Sequence, residues 1–320
     1  MTENLRVAIV TGAAGGIGRP MTRALLAAGI RVAGVDRDRE PLEALAASAR
    51  EQGKGSELLT LQTDLSKDSA AEEITGATRD RFGRIDILVN NAGIGPGAIR
   101  PDSWQRPLKF WEITPDQWRH FVAVHTTAPL ALTNAVVPEM MRRGWGRIVN
   151  VTTSLGTMLN AGSPTYGPSK AALEALSAIM SKDLDGTGVT VNVLVPGGIT
   201  NTPMVSASGF DRAKMIQPEV MAPALVWLVS DAAGKVTGRR FLAVHWDTKL
   251  PAEEAAEKAG APVAWTSIAT MPVTPGALSP PRAVASRQQR PPKPAGIDER
   301  VRLPWLDAAP AYDDASERVT

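Results

Sequence analysis

Through most of the chain, apolar runs short enough for strands alternate with segments in which apolar residues recur every three or four positions. RVAIVTG (6–12), IRVAGVD (30–36), ELLTLQTD (57–64), IDILVNNAG (85–93), GRIVNVTT (146–153) and TVNVLVPG (190–197) predict strands buried on both faces, and RRFLAVH (239–245) predicts a last one. Between them, GRPMTRALLAAG (18–29), LTNAVVPEMMRRG (132–144) and SKAALEALSAIMSKDL (169–184) predict helices, the last two with apolar faces broad enough to meet a partner. This order implies an α/β fold: a doubly wound parallel sheet of about seven strands with helices on both faces.

The pattern stops near Trp246. Eleven of the 25 prolines fall in 246–320, where PPRAVASRQQRPPKPAG shows neither period. Residues 1–245 are therefore expected to form one domain and 246–320 a Pro-rich C-terminal extension. Trp265 and Trp305 are poor residues for a free linker, so parts of the extension are expected to dock on the domain or on a neighbouring subunit.

Composition removes several classes. A net charge of +2 from 35 basic and 33 acidic residues makes no field that would gather nucleic acid or an anionic membrane, which leaves a small-molecule partner. The absence of cysteine excludes disulfides, thiolate metal sites and cysteine nucleophiles, and no metal site is expected. MTENLRVAIVTG does not read as a signal peptide, and no run approaches the ~20 apolar residues of a membrane span, so a cytoplasmic protein is expected.

Chemistry enters at two stretches. TGAAGGIGR sets Thr11, Gly12, Gly16, Ile17 and Gly18 between the first strand and the first helix, where backbone N–H groups can approach a pyrophosphate at the positive end of a helix dipole. The second strand ends at Asp36, whose carboxylate can bond both ribose hydroxyls of an adenosine and repel a 2′-phosphate; this favours NAD. Arg37 could clamp that phosphate instead, which keeps NADP as the alternative. In TYGPSK, Tyr166 and Lys170 stand four apart where a helix begins, so a phenol and an ammonium share one face. An adjacent ammonium stabilises a phenolate, so the phenol is expected to fall below its ordinary value.

Together these motifs resemble the short-chain dehydrogenase/reductase family: T-G-x-x-x-G-x-G at Thr11–Gly18, Asp64 after the third strand, NNAG at Asn90–Gly93, Y-x-x-x-K at Tyr166–Lys170 and PG at Pro196–Gly197. The likeness runs from about Arg6 to Val244 and implies a Rossmann-type dinucleotide-binding and catalytic domain. It implies an NAD(P)-dependent oxidoreductase that interconverts a secondary alcohol and a ketone, with Tyr166 as general acid/base and Lys170 also holding the nicotinamide ribose. The family's serine thirteen residues before the tyrosine corresponds to Thr153, with Ser154 in reserve. Its relay asparagine corresponds to His125, read either as a substitute that orients a water or as a packed helix histidine.

By the same resemblance Asp64 and Leu65 lie at the adenine, Asn91, Ala92 and Gly93 line the adenosine side, and PGGITNTPM wraps the nicotinamide, with Ile199 in it and Thr200 and Thr202 competing for the carboxamide. A homotetramer or homodimer is implied. His245, Trp246 and Asp247 replace the usual glycine pair, leaving the C-terminal packing open. The loop from Gly93 to Trp118, with Trp104, Phe110 and Trp111, reads as either a pocket wall or a core anchor, and the histidine adds a faint likeness to the 3-hydroxyacyl branch. The rival is a catalytically impaired dinucleotide sensor or scaffold on the same fold.

Overall fold

The computed structural model describes residues 5–265; Trp305 and most of the Pro-rich stretch lie outside the described residues. Strands β1 (Val7–Thr11), β2 (Arg31–Asp36), β3 (Leu58–Gln62), β4 (Ile87–Asn90), β5 (Gly146–Val151), β6 (Val189–Val195), β7 (Arg239–Leu242) and β8 (Gly260–Pro262) form one sheet. Its order is β3-β2-β1-β4-β5-β6-β7-β8. Neighbours are parallel from β3 to β7, and β8 joins antiparallel. The winding reverses between β1 and β4, so a crevice opens where Thr11 and Asn90 end their strands.

Alternation along the strands sends side chains to two cores. Val10, Val32, Val149 and Phe241 face α1 (Gly18–Ala27), α2 (Arg39–Glu51) and the late helix Met221–Leu228; Ile9, Leu88 and Ile148 face α3 (Ala70–Phe82) and two helices described next. The first of these two is composite. Helix α4 (Pro115–Val122) starts at Thr114, whose hydroxyl accepts from Gln117 N (3.2 Å) while Gln117 Oε1 accepts from Thr114 N (3.0 Å). A π-helical turn over Ala123–Thr127 follows, and α5 (Ala128–Arg143) ends at Gly144 with φ 63°. As one helix, Pro115–Arg143 is long and apolar enough to cross a bilayer, but its apolar residues Leu132, Val136 and Met140 are spent on the core beneath the sheet. A short α6 (Leu155–Met158) precedes α7 (Tyr166–Asp183), and α8 (Met221–Leu228) and α9 (Ala252–Ala259) complete the helices of the described residues.

Two boundaries differ from the sequence expectation. The last apolar run is strand only to Leu242, and Ala243–His245 turn as 3-10 helix. The sheet gains β8 from residues beyond Trp246, reached through α9, which buries Ala255, Ala256 and Ala259. Gly-Ala-Pro carries no apolar alternation, and it is a strand because β7 offers it an open edge; Pro262 is tolerated at the end of an edge strand.

At the opposite end of the sheet from the crevice, Asp86 is fully buried, accepting from Val7 N (3.0 Å) and from Arg84 Nε (2.8 Å) and Nη2 (2.7 Å), with Arg143 Nη2 at 3.4 Å. It ties the start of β1 to the start of β4. Removing one member leaves buried charge uncompensated, so Asp86→Ala is expected to cost about 3–5 kcal/mol, read as a lowered midpoint in urea, whereas Asp86→Leu combined with Arg84→Met should cost less.

Candidate active site

The glycine turn is built by close approach. Gly12 and Gly16 have φ of 63° and 46°, and a side-chain carbon on Gly18 would stand 1.8 Å from the Gly12 carbonyl oxygen. Gly15 meets nothing within 4 Å, so three of the four glycines are structurally required. Thr11 Oγ1 accepts from Asn91 N and Ala92 N, both at 3.0 Å, while Asn91 Nδ2 donates to Thr11 O (2.8 Å) and Gly12 O (3.1 Å). Asn91 Oδ1 is buried with no partner, an acceptor facing this crevice.

Asp36 caps the other side. Its Oδ2 accepts from Ala14 N in the turn (3.1 Å) and its Oδ1 from Arg37 N (2.9 Å). Arg37 is exposed and lies 3.7 Å from Asp38. Asp64 Oδ1 accepts from Ser66 N (2.9 Å) and Ser66 Oγ (2.8 Å), bonds that hold this partly buried carboxyl below its ordinary value; Leu65 packs against the core. The Pro196–Thr202 loop faces the turn from across the crevice. Gly197 takes φ 103°, and Thr202 approaches Gly16, a carbon there lying 3.4 Å from its Cγ2. Thr200 is turned inward, buried, with its hydroxyl on Gly198 O (3.1 Å), while Ile199 is exposed. Of the two competing threonines, Thr202 therefore faces the crevice.

Tyr166 opens α7 and Lys170 follows one turn later. Burial pushes the Tyr166 phenol up, and a hydrogen bond from the Thr153 hydroxyl pulls it partly back. Lys170, buried, donates from Nζ to Val151 O (2.9 Å), and desolvation lowers it to about 8. The expectation that the ammonium would bring the phenol below its ordinary value is not met in this structure: desolvation is the larger effect, and Lys170 is directed at a carbonyl. Of the two candidate hydroxyls, Thr153 reaches the phenol. Ser154 stands at the head of α6, 3.4 Å from Thr157 Oγ1.

His125 lies in the π turn, fully buried, with its ring edge-on to Tyr166 at 5.5 Å. Its Nε2 accepts from Ile94 N (2.9 Å), so the proton sits on Nδ1, which faces Ser169 Oγ at 2.8 Å. Burial, followed by the Lys170 charge, holds His125 well below its ordinary value, so the imidazole is neutral. Both ring nitrogens are occupied. Ser169 was not singled out from the sequence; its place one residue before Lys170 gave no signal until the π turn brought His125 over it.

The 93–118 loop does not use its rings as core anchors. Phe110 is 75% and Trp111 70% exposed, while Leu108 and Ser103 supply the buried contacts. Phe110, Ile113, Pro115, Trp118 and Pro164 line a cleft of about 390 Å³ that reaches to within two residues of Tyr166 along the chain. Trp104 meets Phe210 edge-on at 5.7 Å, and Gln105 Nε2 donates to Ala207 O (2.9 Å), so this loop and the 203–212 segment meet. Among the described residues no His, Asp and Glu cluster could hold a metal ion.

Comparison with known proteins places the chain in a family. The short chain dehydrogenase family model matches residues 6–212. The 3-oxoacyl-(acyl-carrier-protein) reductase FabG of Salmonella typhimurium is 31% identical over 243 residues, covering 73% of this chain and 93% of that protein. The 3-oxoacyl-(acyl-carrier-protein) reductase of Synechocystis is 32% identical, covering 74% and 94%. Among solved structures, a Beutenbergia cavernae protein described as an NAD(P)-dependent gluconate 5-dehydrogenase with bound NADP superposes with a TM-score of 0.63 at 29% identity, over 74% of this chain and 94% of that one. A Brucella melitensis 3-ketoacyl-(acyl-carrier-protein) reductase complexed with NADH gives a TM-score of 0.63 at 25% identity, over 74% and 95%.

The depressed Lys170 has a thermodynamic consequence. Its folded value of about 8 lies below the 10.5 of a free ammonium, so between these the unfolded chain binds more protons than the folded one. On this account stability is expected to rise with pH across that window, and Lys170→Met is expected to flatten the rise in unfolding free energy measured from pH 8 to 10.

Proposed function

The chain belongs to the short-chain dehydrogenase/reductase family of NAD(P)-dependent oxidoreductases, and on that premise we propose that it reduces the ketone of a bulky, partly apolar substrate, or oxidises the matching secondary alcohol, with Tyr166 as the acid/base. The observation that carries this reading is the placement of Tyr166 and the buried Lys170 one helical turn apart at the head of α7, with Lys170 Nζ on Val151 O (2.9 Å) at the carboxyl end of β5. The residues present fit a dinucleotide. Gly12, Gly16 and Gly18 leave a cradle that any side chain would fill, and the unpartnered Asn91 Oδ1 awaits a donor. The nicotinamide supplies the hydride or accepts it.

The protein's own residues handle the proton and the oxygen. The raised phenol of Tyr166 stays protonated at neutral pH and donates to a carbonyl oxygen as negative charge develops on it, while Thr153 turns its single hydroxyl hydrogen from the phenol to the same oxygen. Lys170 lies beside Gly93 at the nicotinamide-ribose end, a carbon on that glycine falling 3.5 Å from Nζ. His125, with both nitrogens engaged, fixes the Gly93–Ile94 backbone and the Ser169 turn; we read it as a holder of the site rather than a proton relay. Asp36, fixed by Ala14 N and Arg37 N at the end of β2, favours the ribose diol of NAD. Ala92, Pro196, Gly197 and Thr202 complete the groove. The exposed rings of Phe110, Trp111 and Trp118 beside the cleft suit an acyl-type substrate, the class named for the reductase relatives. Leu130, Met141 and Ile179, exposed on α5 and α7, support assembly of like chains through these helices. The sensor reading finds no support, since the tyrosine and lysine are both in place.

Tyr166→Phe is expected to lower kcat on a 3-oxoacyl thioester by about 10²- to 10⁴-fold with little change in cofactor Kd by calorimetry. Lack of turnover by the unaltered chain on ketones and alcohols of this class, with either cofactor, overturns the reading. Asp36→Ala is expected to move the ratio of kcat/KM for NAD over NADP toward NADP by about tenfold or more, since it removes a like charge from the site of the 2′-phosphate.

A further inference from the structure

We propose that the buried Glu174–Arg240 pair is a positioning device for the Thr153 hydroxyl, and that the segment following β7 completes it; this rests on the role given to Thr153 above. Three successive residues at the end of β5 are each held by a charged side chain. Lys170 Nζ donates to Val151 O (2.9 Å), Thr152 Oγ1 donates to Glu174 Oε2 (2.7 Å), and Arg240 Nη2 donates to Thr153 O (2.9 Å). Tyr166, Lys170 and Glu174 are spaced by four along α7, so one face of that helix carries the acid/base, its neighbour and the anchor of the strand end.

Glu174 Oε1 accepts twice, from Arg240 Nε (3.0 Å) and from Ala264 N (3.0 Å). Neither charge reaches solvent: the side chains of Arg240 and Glu174 are 6% and 0% exposed. Stability alone gives weak reason to keep such a pair, because apolar residues of like volume commonly serve as well. What apolar residues cannot supply is the set of directed bonds to Thr152 Oγ1 and Thr153 O. These fix the backbone from which the Thr153 hydroxyl projects toward the phenol.

The fourth contact brings in the segment after β8. Ala264 is the only non-glycine residue with positive φ, at 58°, among the described residues. That conformation is unfavourable for alanine and persists because its surroundings hold it. Val263 N is bonded to Gly238 O (3.0 Å) and Arg240 pairs with Ala261 of β8, and these contacts set Ala264 N against Glu174 (3.0 Å). Without that segment, Glu174 Oε1 keeps only the arginine. The residues read as the start of an extension thereby help to hold the strand end that carries the hydroxyl.

The test separates positioning from mere stability. Arg240→Lys keeps the charge and loses the planar fork, Glu174→Gln keeps the size, and Glu174→Leu with Arg240→Met removes both charges while filling the space. All three are expected to bind NAD with the Kd of the unaltered chain and to lose kcat by about 10- to 100-fold, the scale of a misplaced reacting group, with substrate KM little changed. Ala264→Val, whose branched side chain is strained at this positive φ, is expected to lose more kcat than Ala264→Gly, which adopts it freely. A second readout needs no turnover. Tyr166 and Tyr312 are the only tyrosines, so in a Tyr312→Phe background ultraviolet titration follows Tyr166 alone, with Lys170 and His125 the titratable groups beside it. Thr153→Val and Arg240→Lys are expected to raise that titration together. Full kcat in the double variant, alongside loss in Thr153→Val, overturns the proposal and leaves Thr153's role standing. Full kcat in Thr153→Val instead overturns that role, and the proposal with it.

Discussion

The hydroxyl of Thr11 sits where the winding of the sheet reverses and accepts from two successive N–H groups as the chain leaves β4. Backbone groups there have left the sheet ladder: Asn91 N shares this acceptor with Val89 O (3.1 Å), and Ala92 N depends on it. Asn91 returns the contact by donating to the two carbonyls around Gly12. The reciprocal clasp holds the glycine turn at a fixed distance from the β4 exit and keeps a groove between them. The open side of the glycine turn, Gly93 beside Lys170, and the loop that carries the exposed rings all follow from where that exit points.

Across the groove the same logic recurs with charges. Parallel strands end in a row of loops, and an active site needs those ends to stay still while the loops beyond them vary. Here α7 does the holding, through Lys170 and Glu174, and it also presents Tyr166. One helix thus sets both the Tyr166 phenol and the strand end opposite it, so their separation depends on few intervening parts. His125 and Ser169 brace that helix from the other side, through a turn that carries one residue more than an α-helix needs.

Much of this was legible in the residues, for identifiable reasons. The strands showed because burial on both faces leaves nearly unbroken apolar runs, and Tyr166 with Lys170 showed because a spacing of four is a helical spacing. The direction of the phenol's shift did not show, because desolvation is a property of everything packed around the ring. The engagement of both His125 nitrogens was hidden in the π turn, since a single inserted residue changes which way a side chain points and leaves no mark on composition. Thr153 and Ser154 could be told apart only once the end of β5 and the start of α6 were fixed. Glu174 did leave a trace, a lone charge inside an otherwise apolar run, a pattern to be noticed when a partner can be supplied by another element; Arg240, next to Arg239, did not stand out in this way.

Strand β8 is three residues long and finishes in proline. An exposed β7 would present unpaired amides along the whole margin of the sheet, an invitation for any extended peptide to join it. With β8 laid antiparallel along it, the outermost strand is too short to template a newcomer, and its proline has no hydrogen to give. Along this margin the described residues thus leave few backbone hydrogen-bonding groups for another strand to take up.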